Sequence, residues 1–164
     1  MKAVLQRASR ASVTVDGQVI ASFKADTPEE AGAPGKACGL LILLGVEEGD
    51  SEADAQYLAQ KAAELRIFDD PEGKLNLSVM EAGAKAIVVS QFTLLADCKK
   101  GRRPGFTQAA KPAEGERLYL YFVEELKKRG LSVETGKFGA HMEVELINSG
   151  PVTILLEARN GKPV

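Results

Sequence analysis

Two short segments hold most of the side chains that could do chemistry. Ser90-Gln91-Phe92-Thr93-Leu94 follows a β-branched run, Ala86 to Val89, and precedes a long polar stretch. A strand end of this kind presents hydroxyls and free backbone N–H donors to a cleft. Ser90 or Thr93 could act directly, or the backbone could hold an oxyanion. Local hydroxyl-to-backbone bonding, common for Ser and Thr, explains the same letters. A hydroxyl nucleophile needs a base. His141 is the one histidine in the chain. Its ordinary pKa suits general-base work, but nothing in the spacing places it beside Thr93. The second segment is Asn148-Ser149-Gly150-Pro151. X-Pro bonds are the usual home of cis peptides. A rigid Gly150-Pro151 unit could aim its carbonyls at an ammonium group, while a plain turn between two strands accounts for the residues equally.

Composition narrows the classes. The formal net charge of −2 excludes bulk electrostatic binding of polyanions, so any contact with nucleic acid is local. One local candidate exists: Lys99, Lys100, Arg102 and Arg103 place four cations in five positions. Two cysteines, Cys38 and Cys98, and a single histidine cannot form a Cys/His zinc set, and no EF-hand or HExxH spacing occurs. No metal or cofactor is expected. Free thiols in a reducing compartment are the simplest account of the cysteines. Met1 to Val15 lacks a continuous apolar h-region, and the run Leu40 to Leu44 is too short to cross a bilayer. A cytoplasmic, membrane-free protein follows as the expectation.

The elements that must position these segments read as a single domain over residues 1–164, in the order β-rich, helix, β, helix, β-rich. Lys2 to Arg7 is a strand. Ser12 to Val15 and Gln18 to Phe23 form a hairpin about Asp16-Gly17, since both central residues of that turn take positive φ. Residues 24–37 read as an exposed loop, and Leu40 to Val46 as a buried central strand. Ser51 caps a helix with Asp54 three residues on, and Ala55, Leu58, Ala62 and Leu65 share a face. Asp70 to Gly73 is a turn, followed by an extended segment from Lys74 to Val79. A second helix runs from about Ala113 to Arg129, with Tyr119, Phe122, Val123 and Leu126 inward and Gly130 at its end. Leu131 to Phe138, His141 to Ile147 and Val152 to Leu156 are strands. In the second of these, Met142, Val144 and Leu146 face opposite to Glu143 and Glu145. Asn148 to Pro151 is the turn between the last two strands. The fold class is mixed α/β of the α+β type, a layered β/β/α domain with largely antiparallel sheets and two main helices.

Taken together, the two segments resemble the signature motifs of the D-aminoacyl-tRNA deacylase family. Met1-Lys2-Ala3-Val4-Leu5-Gln6-Arg7, the loop from Asp97 to Pro104 and Thr135 to Met142 also resemble that family, so the likeness covers nearly the whole chain. It implies a homodimer that hydrolyses D-aminoacyl-tRNA, with two active sites at the subunit interface. Ser90, Gln91, Phe92 and Thr93 would floor the pocket. Gly150 and Pro151 would enter it from the partner, braced by Arg7. Phe138 and Met142 would lie near the terminal adenosine. The basic loop, Lys99 to Arg103, then gains a place near tRNA phosphate. Glycine lacks a side chain to reject, so glycyl-tRNA is an expected second substrate. Either Thr93 is the nucleophile or the substrate's 2′-hydroxyl assists water, and the lack of an evident base favours the latter. Two departures stand out: a longer stretch from Phe23 to Ala37, and Gly105 where the family often has a polar residue. A non-catalytic RNA-binding module and a relative preferring misacylated L-alanine are the rival readings.

Overall fold

The computed structural model describes residues 1–24 and 39–164. The expected loop over 24–37, and Cys38, lie almost wholly outside the described residues. The spine of the fold is β1, Lys2–Val15, one continuous strand rather than two. Its first half pairs antiparallel with β3, Gly39–Gly45, and its second half with β2, Gln18–Lys24. Asp16 (φ 50°) and Gly17 (φ 76°) make the hairpin turn that their residue types predict. Next come α1, Glu52–Glu64, and the small hairpin of β4, Phe68–Asp69, and β5, Leu75–Leu77. Then follow β6, Lys85–Ser90, a 3-10 turn over Phe92–Leu95, and α2, Pro112–Lys128. The chain ends with β7, Val133–Thr135, β8, Glu143–Arg159, and β9, Lys162–Pro163. The main sheet is ordered β7-β6-β3-β1-β8-β9, with β2 also on β1. The contacts β3–β6 and β6–β7 are parallel; the others are antiparallel.

Alternation along the strands divides the core in two. Leu40, Ile42 and Leu44 of β3 face the helices, where they meet Ala55, Leu58, Leu118, Phe122 and Leu126. Leu41, Ile87 and Val89 face the other way, toward Ala8, Val13, Ala21 and Phe23. Curling of the β1–β2 end over this second face gives the β/β/α layering. The buried Tyr119 hydroxyl donates to the Val88 carbonyl at 2.8 Å, and burial pushes its phenol up to about 12.

Two expectations need correction. The segment Leu131 to Phe138 contributes only the three residues of β7, and Gly136 to Met142 forms a loop, because Gly136 leaves the β6 edge after one bond to Val88. Asn148 to Pro151 is not a hairpin turn. Both flanks pair with β1 in one direction: Thr153 with Gln6, and Asn148 with Ala8. Residues 149–152 therefore leave the ladder as a bulge opposite Arg7 alone, within a single strand.

The start of α1 is tied to the C-terminal turn. Asp54 accepts from the Ser51 N–H and hydroxyl at 2.8 Å each, and from the Gly161 N–H at 2.9 Å. Burial pushes the Asp54 carboxyl up, but the bonds from Gly161 and Ser51, with the Met1 ammonium nearby, outweigh it and hold the carboxyl below its ordinary value. The folded state thus binds this proton less tightly than the unfolded chain. Its stabilisation is complete above the ordinary carboxylate range and drains away as pH falls through it. Asp54→Ala is expected to cost about 1–3 kcal/mol in urea unfolding at neutral pH, with the difference from wild type shrinking in acid.

Candidate active site

The site begins where the parallel pair β3–β6 ends. Leu44 stands beside Ser90, and the Gln91 N–H donates to the Leu44 carbonyl at 2.8 Å. The chain then tightens into the 3-10 turn, anchored by buried Leu95. The first N–H groups of a helical turn have no partner within it. Among the described residues nothing accepts from the N–H of Phe92 or Thr93. Gly45 makes this close approach possible: a Cβ there would stand 2.8 Å from Leu95 Cδ2 and 3.0 Å from the Gln91 carbonyl oxygen.

These residues open onto a cleft of about 680 Å³. Ser90, Gln91 and Phe92 form one wall. Phe138 and Met142 face them from the loop after β7, and Ala110 with Lys111 closes the end at the start of α2. The Phe138 ring lies 6.0 Å from that of Tyr119 and rests over Gly115 of α2. Met142 occupies space that Gly136 leaves empty, since a Cβ at 136 would stand 2.7 Å from its sulfur. His141 also lines the cleft, and among the described residues its imidazole makes no hydrogen bond. Thr93 is exposed on the turn and does not line the cleft; the Gln91 side-chain amide donates to its hydroxyl. Neither hydroxyl of the motif is hydrogen-bonded to a base among the described residues.

Gly150, Pro151 and Arg7 are absent from that cleft. Gly150 and Pro151 are exposed at the crest of the β8 bulge, and the peptide between them is cis. The base of the bulge is closed by Asn148, whose amide accepts from the Val152 N–H at 2.7 Å and donates to the Val152 carbonyl at 3.1 Å. Arg7, only 5% exposed, reaches beneath it. Its Nε donates to the Ser149 carbonyl at 2.9 Å, and Nη1 donates to the Ile67 carbonyl while lying 3.1 Å from the Asp69 carboxylate. A side chain at 150 has no room: φ is +134°, and a Cβ would approach Val152 Cγ2 to 2.8 Å and Arg7 Nη2 to 3.1 Å.

Lys99, Lys100, Arg102 and Arg103 sit on an exposed loop beyond the cleft wall. Asp97 and Gly105 pin its two ends by reciprocal backbone bonds of 2.8 and 2.9 Å. At Gly105 a side chain would meet nothing closer than the Asp97 carbonyl at 3.9 Å, so a polar residue is accommodated there as readily as glycine. Sequence reasoning missed Gly45, Phe106, Ala110 and Lys111. Gly45 carried a faint signal as the glycine that interrupts an apolar run, and the others carried none. Among the described residues no group of His, Cys, Asp and Glu could hold a metal, and no helix is long and apolar enough to cross a membrane.

A curled mixed sheet thus carries two helices on one face and a cleft at the end of its parallel pair. The family model described as D-Tyr-tRNA(Tyr) deacylase matches residues 4–157, and the chain belongs to that family. A D-aminoacyl-tRNA deacylase of Heliobacterium modesticaldum is 52% identical over 99% of both chains. One of Bacillus cereus is 50% identical, over 97% of this chain and 100% of its own. Among solved structures, a c-Myc DNA Unwinding Element Binding Protein superposes with a TM-score of 0.84 at 38% identity, over 97% of this chain and 99% of the other. A probable eukaryotic D-amino acid tRNA deacylase, 16% identical, shares the fold with a TM-score of 0.74 over 96% and 98%.

Gly45→Ala tests the positioning of the 3-10 turn. It is expected to cost about 1–3 kcal/mol of stability through overpacking and to lower kcat/KM on D-aminoacyl-tRNA by roughly 10- to 100-fold as the turn shifts against the cleft. Thermal melting with steady-state kinetics checks both.

Proposed function

We propose that this chain, working as a homodimer, hydrolyses the ester between a D-amino acid and the terminal ribose of tRNA. One observation carries the proposal: the chain holds both a cleft edged by a turn with two unshared N–H donors and an exposed, braced Gly150-Pro151 crest that lies outside that cleft. A second copy supplies the missing half of each site. The exposed apolar side chains Ile147 and Leu155 of β8 give such a copy a surface to cover.

In this reaction the carbonyls of Gly150 and Pro151 hold the α-ammonium group and so fix the α-carbon. A D side chain then points outward, whereas an L side chain runs into backbone that Arg7 and Asn148 keep from retreating. Glycine passes the same filter, so glycyl-tRNA is also cleaved. The attacking water is assisted by the 2′-hydroxyl of the terminal adenosine. Negative charge developing on the carbonyl oxygen meets the N–H groups of Phe92 and Thr93. Phe138 and Met142 pack the adenosine, and the basic loop meets phosphate. Thr93 stays a bystander because its hydroxyl accepts from Gln91 and has no base to activate it. Ester hydrolysis of this kind needs no cofactor. Its substrate, charged tRNA, places the protein in the cytoplasm.

Thr93→Ala is expected to keep most of its turnover, whereas loss of a true nucleophile costs about 10⁴-fold or more. A substrate ending in 2′-deoxyadenosine should be cleaved far more slowly than its ribose parent. D-alanyl-tRNA and glycyl-tRNA should be hydrolysed and L-alanyl-tRNA spared; comparable rates for both alanine enantiomers would refute the filter. Gly150→Ala should abolish most activity, by strain at positive φ and contact with Val152.

A further inference from the structure

Phe92 and Phe106 lie at the cleft rim, 57% and 36% exposed, with ring centroids 5.1 Å apart and planes at 72°. Water-facing aromatics of this size are held in place here by each other. In an edge-to-face pair, one ring spends only its edge, so a flat π-face stays open. Phe106 also stands directly after Gly105, the pinned end of the loop that carries Lys99, Lys100, Arg102 and Arg103. Among the described residues none of these four cations forms an ion pair with a carboxylate. An exposed aromatic face beside unpaired cations is the combination that binds single-stranded nucleic acid, the base stacking and the phosphates tracking the charge.

We propose that the Phe92–Phe106 pair and the basic loop form a subsite for the unpaired nucleotides that precede the terminal adenosine of an RNA 3′ end. The proposal rests on the deacylase reading, which brings such an end to the cleft. Continuity points to the occupant: the rim adjoins the cleft, so these rings lie on a path by which a strand whose last nucleotide fills the cleft leaves it. The net charge of −2 confines this attraction to the loop. The subsite therefore grips the end of an RNA strand rather than a long duplex.

The test compares full-length D-aminoacyl-tRNA with 3′-D-aminoacyl-adenosine, which lacks every preceding nucleotide. Phe106→Leu is expected to reduce the kcat/KM advantage of the tRNA over the adenosine ester by about tenfold, the lower range of base–aromatic stacking, and Phe106→Trp to preserve it. Removing Lys100 or Arg102 should lower the salt slope of tRNA binding by about one counterion each. Equal loss on both substrates, or loss on neither, overturns the subsite. A second arm needs no variant: fluorescence anisotropy of wild-type protein with a labelled single-stranded RNA tetranucleotide ending in adenosine, against the same strand made abasic before that adenosine. Tighter binding of the strand with bases supports stacking, and equal binding overturns it. Failure of wild-type protein to hydrolyse either ester overturns the deacylase reading alone, and the anisotropy still decides the subsite.

Discussion

A buried guanidinium sits where the longest of the described strand ladders opens. β1 and β8 pair on both sides of Arg7, but opposite Arg7 four residues of β8 leave the ladder. Backbone groups released in this way need new partners. Arg7 supplies one by donating to the Ser149 carbonyl, and Asn148 supplies two more across the base of the bulge. The cation itself needs compensation away from water, which the Asp69 carboxylate and the Ile67 carbonyl provide. The β4–β5 hairpin, β1 and the Gly150-Pro151 crest are thereby fixed to one another through a single side chain. Nothing else among the described residues joins these three elements so directly.

The cleft obeys a different constraint. Its donors are backbone groups, so sheet register rather than a reactive side chain sets their position. The Leu44–Gln91 bond ends the parallel ladder, and Gly45 lets the following turn fold against β3. This economy fits the chemistry of an ester whose neighbouring hydroxyl already lies beside the carbonyl. Such a reaction gains from oriented dipoles in a sheltered place more than from a new nucleophile.

Local signals in the sequence were faithful where the physics is local. Asp16-Gly17 gave its turn, Ser51 and Asp54 their helix start, and Tyr119 to Leu126 their buried face. The Ser90 to Leu94 segment was legible as a strand end because β-branched residues stop there. The β8 bulge was not legible. Asn-Ser-Gly-Pro has turn chemistry, and only pairing with a strand some 140 positions earlier in the chain makes it an excursion instead of a reversal. Gly45 and Phe106 were hidden for the same reason, since their partners Leu95 and Phe92 meet them only after the sheet has formed. Arg7 stood out through family likeness, whereas its burial and its contact with Asp69 are consequences of tertiary structure.

The central claim is that each working site joins the cleft of one protomer to the Gly150-Pro151 crest of another. Mixing two impaired variants tests it most directly: Gly45→Ala, damaged in the cleft, and Gly150→Ala, damaged in the crest. After subunit exchange each hybrid dimer contains one site with both halves intact, so D-aminoacyl-tRNA hydrolysis should return to about a quarter of wild type. A mixture that forms hybrids yet rises no higher than the average of its parents would contradict the claim, because it would show that cleft and crest serve within one chain.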